Sequence, residues 1–138
     1  MAFYRGQQGS VKFDDGGSSA AAITSTRSWS MTVEKATLET TALGATYAAN
    51  VGGLISGSGS VELLYTASSS DETNVFIEAA NTSADAGGAL FELYLDTTGT
   101  KKISFDGVIT SADYSATVGE LEVITCNFVT NGAITLDI

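Results

Sequence analysis

Three pairs of carboxylates stand close enough along the chain to share a proton: Asp14 with Asp15, Asp71 with Glu72, and Glu120 with Glu122. Paired carboxylates can divide acid and base work, or act as nucleophile and proton donor, when they flank a cleft. The first two pairs fall at a turn and in the first turn of an expected helix, where solvation and the helix dipole account for them. Glu120 and Glu122 share a face of an expected strand that opens a hairpin, which is one element and not two walls of a cleft. The chain has no histidine. That removes Ser–His and Cys–His pairs, His-containing metal sites and the usual near-neutral proton carrier. "GLISGSG" has the glycines of a phosphate loop but no following lysine, and it lies in a strand pattern. "DAGGA" ends a helix, the wrong pole for a phosphate. No loop of alternating acids suits calcium. The residues point to a non-enzyme with no catalytic residue, no metal and no cofactor.

Cys126 is the single cysteine, set in "VITCNF" among strand-type apolar residues. No intrachain disulfide is available, and the thiol reads as a small buried hydrophobe. "MAFYRGQQGS" lacks the cationic and apolar regions of a secretory leader. No run approaches the ~20 apolar residues of a membrane helix. The expectation is a protein made and folded in a cytoplasm, with no membrane partner. Six basic residues against sixteen acidic ones give a net charge of −10. Such a surface repels nucleic acid and argues against conventional DNA or RNA binding. Arg5, Lys12, Arg27 and Lys35 lie early in the chain, an asymmetry that would let one edge of a subunit meet an acidic edge of another.

The elements that position these residues are mostly strands. At 138 residues the chain fits one domain. Its low charge and abundant Ser, Thr, Gly and Ala suit wetted β surfaces. Residues 1–9 read as an arm, and "SVKFDD" as a short strand closed at Gly16-Gly17. From Ile23 to Glu34 the pattern has period two. Trp29, Met31 and Val33 point one way, and Ser28, Ser30, Thr32 and Glu34 the other. "LISGSGSVELLY" alternates again, with Ile55, Val61, Leu63 and Tyr65 opposite Ser56, Ser58, Ser60 and Glu62. Gly57 and Gly59 fall on its apolar side and would leave room for a neighbour such as Trp29. Between these strands, from about 35 to 53, the alternation fails. Leu38, Leu43, Tyr47 and Val51 mark that segment as a self-association loop, since a free loop gains nothing from them.

"SSSDETNVFIEAANTS" is the one expected helix, capped by Ser69 or Ser70 and turning Val75 and Phe76 to the core. "ALFELYLD" and "KKISFDGVI" form a hairpin through Gly99. Residues 107–117 extend further, with Ser111, Asp113 and Ser115 on one face. "GELEVITCNFVTNGAITLDI" reads as a closing hairpin of Glu120–Val129 and Ala133–Ile138 turning on Asn131-Gly132. Phe128 joins Trp29, Met31, Val33, Val61, Leu63 and Phe76 as the expected core.

Three stretches carry a resemblance to a known family: "STRSWSMTVEKATLETTALG", "GLISGSGSVELLY", and the ending with its F-x-x-N-G-x-I form. In this order they resemble bacteriophage tail tube proteins, the major tail proteins. The resemblance implies a mainly β fold, a β-sandwich or rolled barrel with one flanking α-helix. It also implies rings, six copies each, stacked into a negatively charged conduit for genome DNA ejection. Inner sheets would join between subunits around the lumen. Partners would be further copies and other tail proteins (tape measure, tail terminator, baseplate or tip), with DNA passing unbound. The location would be the virion tail, assembled in the host cytoplasm.

The residue pattern suits that role. Ser28, Ser30, Thr32, Glu34, Ser56, Ser58, Ser60 and Glu62, with Ser111, Asp113 and Ser115, are the expected lumen face. Leu38, Leu43, Tyr47 and Val51 are the expected inter-ring contact. Two other classes fit a small β protein: a carbohydrate-binding module using an aromatic platform, and a capsid decoration or tail-completion protein.

Overall fold

The computed structural model describes residues 9–14, 21–23, 26–65, 89–97 and 100–138. The helix expected around Val75 and Phe76, and all of the N-terminal arm but Gly9, lie outside these residues. The described chain is built from strands: β1 (Ser10–Asp14), β2 (Ala21–Ala22), β3 (Thr26–Glu39), β4 (Asn50–Leu64), β5 (Ala89–Asp96), β6 (Lys101–Ser115) and β7 (Val123–Asp137). All belong to one antiparallel sheet in the order β2-β1-β5-β6-β7-β4-β3. The mainly β class expected from period-two patterning holds, and no helix occurs among the described residues.

β6 and β7 form a long hairpin that serves two half-sheets. Residues 101–107 of β6 pair with β5, while residues 123–129 of β7 pair with β4. Between the halves the ladder is broken. Phe105 stands opposite Ile134 and Gly107 opposite Thr130, so Asn131, Gly132 and Ala133 lie against the single Asp106. Gly132 has φ +96°, which a side chain would resist. Asn131-Gly132 is therefore an irregularity inside one continuous strand, and the expected closing hairpin is corrected to β7. The dipeptide supplied positive φ as expected, but in a bulge, which bends and twists a sheet instead of reversing it.

The bend lets the sheet roll over its own core. β1 and β4 are well separated in sheet order, yet Val11 and Phe13 share one buried cluster with Val61 and Leu63, and β1 touches β3. Phe13, Phe91, Phe105 and Phe128 form its centre, with ring centroids 5.0–5.3 Å apart. Each such side chain contributes about 1.5–3 kcal/mol by burial, and aromatic pairing adds about 0.5–1.5 kcal/mol. On the opposite face, Lys12 and Lys102 lie 4.9 and 5.6 Å from the centroid of the Tyr94 ring. Lys102 donates to Glu92 at 3.2 Å, and that bond raises its pKa.

Of the expected core residues, Val61, Leu63 and Phe128 are buried, and Trp29 and Met31 pack partly buried against the cluster. Val33 is corrected: it is 46% exposed, because β3 has by then left the body. The loop expected over 35–53 is corrected too. β3 runs to Glu39 and β4 starts at Asn50, leaving only residues 40–49 as the connection. Alternation fails there because both faces are exposed; period two reports a buried face, not a ladder. Room beside Gly57 and Gly59 is taken by Met31, Phe128 and Ile134, while Trp29 stands opposite Val61.

Candidate functional site

The two hydroxyl rows of β3 and β4 fall in register. Ser28 faces Glu62, Ser30 faces Ser60, Thr32 faces Ser58, and Glu34 faces Ser56. Each row ends in a glutamate, but the antiparallel register places those glutamates at opposite ends of the patch. The face continues across β7 and β6. Ser60 pairs with Asn127 and Asn127 with Ser111, giving a rung Ser30–Ser60–Asn127–Ser111 across four strands. The next rung is Ser28–Glu62–Thr125–Asp113. Ser115 stands opposite Val123, and its hydroxyl donates to the Val123 carbonyl at 3.3 Å.

The hydroxyls are held by one another and by the backbone. Ser30 Oγ and Ser60 Oγ are 3.3 Å apart, and Asn127 Nδ2 donates to Ser111 Oγ at 2.8 Å. Arg27 Nη1 lies 3.6 Å from Glu62 Oε1 at the rim, an exposed pair worth little on its own. Glu34, Glu62 and Asp113 leave the face acidic. The residues expected from the alternating rows thus converge on one surface. Thr125 and Asn127 complete it and were missed, although Thr125, Asn127 and Val129 alternate with Ile124, Cys126 and Phe128 and carry the same period-two signal.

At one end of this face the β3–β4 hairpin stands free as an arm. Leu38 is 63% exposed, Tyr47 85%, Val51 48%, and Leu43 is wholly free of its own chain. The tip is nonetheless ordered by hydrogen bonds. Thr40 N donates to Ala49 O at 2.7 Å, and Ala49 N donates to Thr41 Oγ1 at 2.8 Å.

The fold has counterparts among solved assemblies. No protein-family profile matches the sequence, and no curated protein sequence matches it. Structures do. A chain from the tail of an empty gene transfer agent particle, refined helically with C6 symmetry, superposes with a TM-score of 0.77 at 19% identity, covering 97% of this chain and 98% of that one. A chain of the SPP1 tail tube superposes at 0.75 and 17% identity, covering 98% and 80%. One from the sheath/tube terminator of an extracellular contractile injection system superposes at 0.72 and 10% identity, covering 100% and 99%. The fold is the tail tube fold.

Within the tail tube fold the remaining candidates take structural places. Glu120 and Glu122 lie in the exposed turn between β6 and β7, not on a strand face as expected, because β7 begins only at Val123. Asp14 ends β1; Asp15, Asp71 and Glu72 lie outside the described residues. No cluster of metal-ligating side chains occurs among the described residues. Trp29 leans on the core and is only partly exposed, unlike the aromatic platform of a sugar-binding module. Cys126 is buried on the core side, and burial, with the charge of Asp113, pushes its pKa from 9.0 to about 11. Its thiol is held neutral.

Proposed function

We propose that this chain is a structural tail subunit. In this reading it closes edge to edge into rings of six, stacks into a tube, and turns the four-stranded polar face to the bore. The observation that carries this is the pair of edges on which the polar face ends. On one side lies β3, and on the other residues 108–115 of β6, beyond the reach of β5; neither outer edge pairs with another strand among the described residues. β6, β7, β4 and β3 alternate in direction, so β3 runs opposite to β6. Rotation about a tube axis preserves strand direction. A neighbour's β6 would therefore meet β3 antiparallel and extend the ladder. A heterologous contact of this kind closes into a ring, and closure removes the exposed edges that otherwise invite uncontrolled pairing. Six-fold symmetry in the gene transfer agent tail supports the copy number.

The acidic, hydroxyl-lined face suits passage of DNA without capture, because its Glu34, Glu62 and Asp113 repel phosphates over about a Debye length, ~8–10 Å. It acts as a conduit and not as a catalyst. Its partners are its own copies, the tape measure that would occupy the bore, and the terminator and baseplate or tip proteins at the ends. It belongs in the virion tail, assembled in the host cytoplasm as a single domain with an N-terminal arm. Electron microscopy of the purified protein at high concentration tests the reading. Tubes with the Ser30–Ser60 face inward are expected. A solitary particle at every concentration, or tubes with that face outward, would overturn it.

A further inference from the structure

Asn131-Gly132 bends β7, and the same dipeptide carries a reaction. Asn131 is the one asparagine in the sequence that precedes a glycine. An asparagine side-chain carbonyl comes within reach of the next residue's backbone nitrogen when the intervening peptide turns toward it, which makes asparagine thermolabile. A side chain on that next residue obstructs the approach, and glycine has none. The fold keeps the pair accessible. Asn131 and Gly132 are both exposed, and neither has a Cα partner on β6, since the ladder passes from Thr130 to Ile134 across Asp106. A Cβ added at Gly132 would meet nothing within 4 Å, so space for a ring is open. Asn131 is engaged within the chain, and attack therefore proceeds through a local opening. Such openings cost little at an exposed irregularity. The other described asparagines are placed differently. Asn50 precedes β-branched Val51 within β4, and Asn127 precedes buried Phe128 and holds its side-chain amide on Ser111 Oγ at 2.8 Å.

We propose that Asn131-Gly132 is a self-modification site, at which the folded chain deamidates. The Gly132 amide nitrogen gives up its proton and attacks Asn131 Cγ. A C–N bond forms, the Cγ–Nδ2 bond breaks, and ammonia leaves with the proton; a succinimide ring remains. Water then opens the ring. Addition at Cγ yields aspartate. Addition at the main-chain carbonyl carbon yields isoaspartate, in which the chain continues through Cγ. One water is consumed and one ammonia released, and nothing is oxidised or reduced. Either product adds a negative charge at a position that lies against Asp106. Isoaspartate also lengthens the main chain of β7 by an atom, at the bend between the part paired with β4 and the part that returns along β6. The reaction needs only the folded subunit and stands apart from the tube reading.

Ageing the purified folded chain at physiological temperature in mildly alkaline buffer, with peptide mass mapping and an assay of released ammonia, tests this. Deamidation at Asn131 is expected at a rate within about tenfold of that in the chain unfolded by urea, because local opening is cheap there. Asn50 and Asn127 are expected to stay intact over the same period. A folded-state rate slower than that, or modification spread evenly over Asn50, Asn127 and Asn131, would overturn the inference. Asn131→Gln keeps the amide but moves it a methylene away from the Gly132 nitrogen, and should remove most of the ammonia released. Ammonia undiminished in that variant would place the reaction elsewhere and sink the proposal.

Discussion

Ser30 on β3 and Ser60 on β4 stand directly opposite one another with their hydroxyl oxygens 3.3 Å apart. In the same rung, on β7, Asn127 donates its side-chain amide to Ser111 Oγ on β6. Side chains bonded to each other have little left to offer a passing polymer. In the proposed tube, what would remain to act on DNA is the charge of Glu34, Glu62 and Asp113.

Replacing Glu34 and Glu62 by lysine should slow genome ejection while tubes still assemble, because neither residue lies in the core. The effect should shrink as salt rises, since the interaction is screened. Ejection kinetics from particles carrying the double variant are the measurement. Unchanged ejection with defective assembly would reverse the assignment of this face.

Gly59→Ala should destabilise the fold by about 1–3 kcal/mol, the usual cost of overpacking. A Cβ there would meet the Phe128 ring at 2.7 Å and the Met31 backbone at 2.9 Å, and backbone cannot step aside. Thermal unfolding of the variant reads this directly. Gly53→Ala, out on the exposed arm where the nearest side chain is Ala36, should cost less.

Removing residues 40–49 and joining the strands by a short turn should leave folded subunits or rings that fail to elongate. The deletion touches only exposed residues, so circular dichroism should be preserved. Tubes of normal length would dismiss the arm as the axial contact.

Cys126 gives a signature at high pH. Its pKa is raised to about 11 in the folded chain, so between about 9 and 11 the unfolded chain releases a proton that the folded chain keeps. Stability is therefore full below pH 9 and falls as pH climbs through that window, by about 2–3 kcal/mol in total. Cys126→Ser, with no such group, should show a flatter decline over the same range. Native protein at pH 8 should react with thiol reagents only through unfolding.

The polar face was legible because Ser28 to Glu34 and Ser56 to Glu62 sit on strands with one buried and one wet side. Where both sides are wet, as from Lys35 to Glu39, a strand leaves no periodic mark and the ladder became visible only in three dimensions. Asn131-Gly132 misled for a different reason. The dipeptide announces a positive φ, but a hairpin turn and a bulge both demand it, and local sequence does not distinguish them. Glu120 and Glu122 looked like strand residues because they alternate with Leu121, yet that leucine faces solvent.

β6 and β7 each pass through both half-sheets without interruption, crossing the bend at Asp106 and Gly132. The half-sheet that carries the polar face and the half-sheet that carries β5 and β1 are consequently cut from the same two ribbons. Loss of either would strip pairing partners from strands that the other shares, which couples the two halves in unfolding.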